Sequence, residues 1–264
     1  MRSLIWVGGA LGDVLLGLPA LHAIARTGAV TAVMGRAAAG LLRGRTPADR
    51  VFREDDPRLL PLWGPAPDAA LELLGHPTSG LVVTGSAGLA ATLGVRHVPL
   101  EAPGHRALRL LHRPPDVASL EVPLLSLEPR PCDVLLFPGS GGERKCWSGF
   151  EALGHRLARD GRAVQVVLGP DELERGWAAR DWGGLTVIAP DLVHTAELCA
   201  GARVVVGNDA GTTHLAAVSG ATVVALFGPT PVELWRPIGP RVRVLRGVCR
   251  GLSVDAVYGV VRST

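Results

Sequence analysis

An α/β fold with two doubly wound parallel sheets is the prediction of this sequence, and three observations carry it. Short apolar runs bounded by Gly and Pro recur along the chain, helical patterns alternate with them, and a strand, glycine-rich turn and helix at the N-terminus return after a proline-rich stretch near the middle. Hydrophobic residues fill 47% of the 264 positions and charged residues 19%, with a mean hydropathy of +0.28. That balance excludes a disordered chain and suits strands buried on both faces.

The apolar runs place strands over 4–7, 29–34, 81–83, 134–137, 164–168, 185–188, 204–206 and 222–227. Helical patterns over 13–26, 150–159, 195–201 and 212–218 lie between many of them, as parallel βαβ units require. Residues 113–130 carry Pro114, Pro115, Pro123 and Pro129, which disfavour both helix and central strand. The domain boundary is expected inside that segment, giving domains 1–125 and 126–264. No tandem repeat is evident.

A net charge of +3, from 27 basic and 24 acidic residues, is too small to build a whole-molecule field for nucleic acid. Cys132, Cys146, Cys199 and Cys249 form no C-x-x-C pair and no zinc spacing with His, so a reducing cytoplasm is the expected setting. The apolar start runs at once into Gly8, Gly9, Gly12 and Asp13, which breaks the core a signal peptide needs. No stretch approaches the ~20 apolar residues of a membrane span, which leaves peripheral contact at the inner face of a membrane as the only expected association.

Three segments could carry chemistry. The first joins the first strand to the first helix through Gly8, Gly9, Ala10, Leu11, Gly12 and Asp13. A dinucleotide fingerprint would need glycine where Val7 stands, and Asp13 puts a negative charge where a pyrophosphate would sit. Such a carboxylate suits a base that takes a proton from a hydroxyl. An equally available reading is that Asp13 only caps the helix or complements its dipole.

The second segment, from Phe137 through Pro138, Gly139, Ser140, Gly141, Gly142, Glu143, Arg144 and Lys145 to Cys146 and Trp147, has a phosphate-binding composition: backbone N–H groups, a hydroxyl and cations. It matches neither a Walker loop nor a serine-hydrolase elbow, and alone it would read as a solvated loop. The third, Val204, Val205, Val206, Gly207, Asn208, Asp209, Ala210, Gly211, Thr212, Thr213 and His214, is again strand, small-residue turn and helix. Its helix N-terminus offers free N–H groups to a diphosphate; Asp209 would cap the helix or hold a sugar hydroxyl, and a lone His214 is more often structural than catalytic.

Together with Ala225, Leu226, Phe227, Gly228, Pro229 and Thr230, these segments resemble glycosyltransferase family 9, the ADP-heptose:lipopolysaccharide heptosyltransferases. The run N-D-A-G-T-T-H-L-A-A followed by A-L-F-G-P-T is the strongest signal, and G-x-L-G-D with Pro19 beyond it the second. The resemblance implies a GT-B fold, two Rossmann-like domains facing a cleft, with acceptor on the first and nucleotide-sugar donor on the second. It implies that Asp13 is the general base, with Gly9 and Gly12 in the acceptor-side loop. Ser140 and Lys145 would hold the donor diphosphate, Lys145 also aiding catalysis, Glu172 the ribose, and Asp209, Gly211, Thr212 and His214 the donor-site turn. It further implies inversion, no metal, no cofactor beyond the nucleotide-sugar substrate, and a cell-surface glycan or glycolipid acceptor. Glu54, Asp55 and Asp56 look like an ordinary solvated turn.

The sequence departs from the family at Ala210, commonly Thr or Ser there, and at Ser148, usually Pro, and it is shorter in the first domain and after Trp235. Two rival readings are a weakly active or inactive relative that binds nucleotide or glycan in envelope assembly, and a nicotinamide-dependent oxidoreductase, which Val7 and Asp13 oppose. Arg106, Arg109 and Arg113 fall at i, i+3 and i+7, one face of a helix. That face reads either as solvated surface or as a contact for an anionic glycan or membrane.

Overall fold

The computed structural model describes residues 1–85, 87–101, 104–111, 116–248 and 251–264, and in it every sheet is parallel. The chain divides into two units, Met1–Val117 with Leu124–Ser126, and Ala118–Pro123 with Leu127–Thr264. Arg113, Pro114, Pro115 and Cys249, all named above, lie outside the described residues.

In the first unit the strands are β1 (Arg2–Val7), β2 (Ala29–Met34), β3 (Arg50–Arg53), β4 (Ser79–Thr84) and β5 (Arg96–Pro99), in the order β3-β2-β1-β4-β5. The helices are α1 (Leu11–Ala25), α2 (Arg36–Leu42), α3 (Asp68–Leu74) and α4 (Ala87–Leu93), with 3-10 turns at Pro57–Trp63 and Leu108–Leu110. Leu4 and Trp6 of β1 join Val33, Val82, Leu59 and Leu74 in one core. On the opposite face Val7 meets α1 so closely that a Cβ on Gly17 would lie 3.0 Å from it. At the centre of the sheet Gly80 pairs with Leu4. Its φ of +134° favours glycine, and a Cβ there would come within 1.9 Å of the Leu4 carbonyl oxygen.

The second unit holds β6 (Cys132–Phe137), β7 (Val164–Val167), β8 (Thr186–Ile188), β9 (Ala202–Asn208), β10 (Val223–Phe227) and β11 (Val242–Arg246), in the order β11-β10-β9-β6-β7-β8. Between and after them come α5 (Phe150–Arg159), α6 (Pro170–Glu174), α7 (Leu192–Gly201), α8 (Gly211–Val218), α9 (Val232–Trp235) and α10 (Val254–Arg262). Val134, Leu136, Val204 and Val206 pack on one face of the sheet and Leu135, Phe137 and Val205 on the other. Burial on both faces explains why the central strands read as unbroken apolar runs.

All eight predicted strands are present, and three more, β3, β5 and β11, were not predicted. Each is an edge strand carrying arginines, so only one face needs apolar residues and no run forms. Among the described residues no helix is long and apolar enough to cross a membrane.

Candidate active site

In open parallel sheets ligands bind at the carboxyl ends of the strands, where the strand order reverses. The reversal falls between β1 and β4 in the first unit and between β6 and β9 in the second. Both crevices carry the residues singled out from the sequence.

In the first unit β1 leads through Gly8, Gly9 and Ala10 into α1, and Gly9 adopts φ +96°, a conformation glycine takes without steric cost. Asp13 and Gly12 lie in the first turn of α1, where a carboxylate complements the helix dipole. Ala10 is the N-cap, and no side chain bonds there. The Asp13 carboxylate instead forms an ion pair with Arg106, Oδ1 to Nη2 3.0 Å, with only 20% and 11% of the two side chains exposed. Arg106 Nη1 donates to the Leu100 carbonyl at 2.5 Å, and Arg109 Nη2 donates to the same oxygen at 2.7 Å. Burial and the adjacent Arg106 charge hold the Arg109 guanidinium below its ordinary pKa, with Asp13 opposing them. Asp13, Arg106, Gly8, Gly9, Glu54 and Trp63 line part of a cavity of about 460 Å³.

This arrangement corrects the expected basic helical face. Residues 104–111 contain only the 3-10 turn Leu108–Leu110, and the side chains of Arg106 and Arg109 both fold back onto the Leu100 carbonyl. Arg106 turns inward to Asp13 rather than sharing a solvated stripe. Glu54, Asp55 and Asp56 also differ from a plain solvated turn. Asp55 pairs with Arg53, Asp56 accepts from the Arg58 N–H at the start of the 3-10 turn, and Glu54 Oε1 accepts from the Gly9 N–H at 3.2 Å.

In the second unit three loops converge at the ends of β6, β7 and β9. Lys145 Nζ donates to Asp209 Oδ2 at 2.8 Å, the lysine side chain 35% exposed and the aspartate 6%. Ser140 Oγ donates to the Asp209 carbonyl at 3.1 Å. Glu172 is buried, its Oε2 accepting from the Gly169 N–H at 2.8 Å. The Glu172 carboxylate occupies the space a Gly139 Cβ would need, 2.0 Å away, so a side chain at Gly139 would displace it. Gly211 and Thr212 open α8, and His214 is buried within its first turn. The N-cap, Ala210, is extended and supplies no side-chain cap, so the first N–H groups of α8 lack both an intrahelical partner and a capping side chain. Burial pushes the thiol of Cys146, beside Lys145, above its ordinary pKa, with Arg175 working against it.

Asn208 organises this half of the molecule, and sequence reasoning assigned it no role. Fully buried, it donates from Nδ2 to the Pro138 carbonyl at 2.7 Å and accepts at Oδ1 from the Trp147 N–H at 3.0 Å. Its own carbonyl accepts from Thr213 Oγ1 at 2.6 Å. Thr213 therefore faces inward, and Thr212 is the other hydroxyl at the start of α8. The signal for Asn208 was its place as a polar residue ending a strand buried on both faces, where a side chain must be hydrogen-bonded.

The family model of glycosyltransferase family 9 (heptosyltransferase) matches residues 117–255. No curated protein matches. Among solved structures, Escherichia coli heptosyltransferase WaaC with ADP is similar at 20% identity, covering 100% of this chain and 99% of that one, with a TM-score of 0.73. Escherichia coli ADP-heptose lps heptosyltransferase II is 18% identical over 100% of this chain and 98% of that one, at 0.75. A family 9 glycosyltransferase from Veillonella parvula is 16% identical over 98% and 90%, at 0.74. At these identities the structures establish a shared fold, while the family model spans more than half of the chain: the chain belongs to glycosyltransferase family 9, the heptosyltransferase family.

Proposed function

We propose that this glycosyltransferase moves a sugar, heptose from an ADP-linked donor, onto a hydroxyl of a cell-surface glycan or lipopolysaccharide-type acceptor, with inversion and without a metal. The convergence of Lys145, Ser140, Asp209 and the open N-terminus of α8 at one switch point supports it most directly. The structural neighbours include WaaC with ADP and WaaC with ADP-2-deoxy-2-fluoro heptose.

In this reading domain 126–264 holds the donor and domain 1–125 the acceptor. Asp13 takes the proton of the acceptor hydroxyl as its oxygen bonds to the anomeric carbon. The bond from that carbon to the diphosphate oxygen breaks in the same step, and its electron pair leaves on the nucleoside diphosphate. Lys145 and the N–H groups of Gly211 and Thr212 meet that developing charge, a role in which prearranged dipoles are effective. Because these groups supply positive charge, the reaction needs no metal for it. Glu172 is suited to the ribose hydroxyls. Asp209 sets Lys145 in place before the donor arrives, and His214 stands buried in the first turn of α8.

A panel of ADP, UDP, GDP and NAD, each scored for the shift in melting temperature, tests the donor assignment, since a ligand bound only by the folded state raises stability. ADP is expected to give the largest shift. A larger shift with NAD would overturn the reading. ADP binding with no turnover on any glycan acceptor would instead mark an inactive relative.

A further inference from the structure

We propose that Glu54 is a positioning residue for Asp13, pinning the Gly8–Gly9 turn to the end of β3 and so fixing where the Asp13 carboxylate meets the cavity. The proposal rests on the reading of Asp13 as the base.

The turn that carries Asp13 has no side chain at two successive positions and so little stiffness of its own. On one side it is held by the chain that follows β2: the Gly35 N–H donates to the Val7 carbonyl at 3.1 Å, and a Gly35 Cβ would come within 2.3 Å of the Gly9 carbonyl oxygen. On the other side the tie is Glu54. Its backbone N–H donates to the Met34 carbonyl at 2.9 Å, which fixes the residue at the end of β2. Its Oε1 accepts from the Gly9 N–H at 3.2 Å, and its Oε2 lies where a Gly8 Cβ would be, 1.9 Å away. The carboxylate is thus laid flat on the turn.

Asp13 rests on the next glycine, with Oδ2 3.2 Å from the position of a Gly9 Cβ. Standard backbone dimensions then hold the two carboxylates within about 9 Å of each other. Both line the same cavity. Their partners differ. Asp13 faces Arg106, while Asp55 and Asp56 next to Glu54 pair with Arg53 and Arg58. Among the described residues Glu54 has no cation within salt-bridge distance and spends its oxygen on the turn. A carboxylate bonded to a backbone N–H beside the base is placed to hold geometry rather than to balance charge.

The experiment compares Glu54→Ala and Glu54→Gln, with Asp13→Asn as reference, at saturating donor and acceptor. Misplacing a reacting group by about 1 Å can cut turnover by up to about a hundredfold. Glu54→Ala is expected to lower kcat by about tenfold or more, with donor KM changed less than about twofold. Glu54→Gln keeps an oxygen for the Gly9 N–H and is expected to restore kcat to within about threefold of wild type. Amide exchange at Gly9 should speed in Glu54→Ala and stay slow in Glu54→Gln. If Glu54→Ala fails to fold, Glu54→Asp, one methylene short of the turn, takes its place with the same expectations. Wild-type kcat in Glu54→Ala together with a dead Asp13→Asn overturns the proposal and leaves the base reading standing, as does equal loss in the alanine and glutamine variants. Wild-type turnover in Asp13→Asn ends the base reading itself.

Discussion

The turns after β1 and β9 are built alike and tuned oppositely. Each follows a central strand, opens a helix at a switch point and holds an aspartate paired with a cation from a distant loop, Asp13 with Arg106 and Asp209 with Lys145. After β1 the aspartate sits inside the first helical turn, so the positive end of the dipole already has its anion. After β9 the aspartate stands before the helix, and the first N–H groups of α8 stay open. The supports differ as well. Asn208 and Thr213 cross-link the second turn through four buried or nearly buried bonds, whereas the first is held by glycine contacts and Glu54. In the function proposed above, a shift of a few residues in where the acid stands separates the turn that takes the proton from the one that meets the departing diphosphate.

The contrast breaks most plainly at the two charged pairs. Asp13→Asn is expected to cut transfer by roughly a hundredfold or more while ADP binding holds, the scale of a positioned base. Lys145→Ala should do the reverse first, weakening ADP binding by about ten- to a hundredfold, as for a lost charge-assisted hydrogen bond. Titration of each variant with ADP, alongside initial rates, separates them; a shared phenotype would erase the distinction between the turns. Next comes Asn208→Ala, which leaves the buried Trp147 N–H and Pro138 carbonyl without their partner and is expected to lower stability by about 2–4 kcal/mol in urea unfolding. Wild-type stability would show that the second turn is not the stiffer one. The smallest effect is expected from Ala210→Ser, where the extended N-cap geometry already suits a hydroxyl. A gain of about 1 kcal/mol in the same assay sharpens the picture of an uncapped helix, and a loss would contradict it.

The central strands and both turns were legible because their causes are local. Valines 204, 205 and 206 announce a strand covered on both sides, and Gly8, Gly9 and Gly12 announce a tight entry into a helix. The arginine-bearing edges β3, β5 and β11 were not, since half-solvated strands need no apolar run. Arg106 was misread for a related reason. Its spacing to Arg109 fits a helix face, but the carboxylate that decides its direction is supplied by Asp13 at the other end of the unit. Glu54 and Asn208 share that fate: each acts on a backbone group far along the chain, Gly9 for one and Pro138 and Trp147 for the other. Thr213 is committed inward in the same way, by a bond to the Asn208 carbonyl that its sequence neighbours do not announce.

Gly80 bears on how freely this chain can drift. Strands β1 and β4 form the two walls of the first crevice, and at Gly80 the backbone of β4 lies against Leu4 with no room for a methyl group. Any other residue there would wedge the walls apart from beneath, moving Asp13 relative to the far side of its cavity without altering a single residue that lines it. Variation in this half of the molecule is thus expected to halt at a position that lines no part of that cavity.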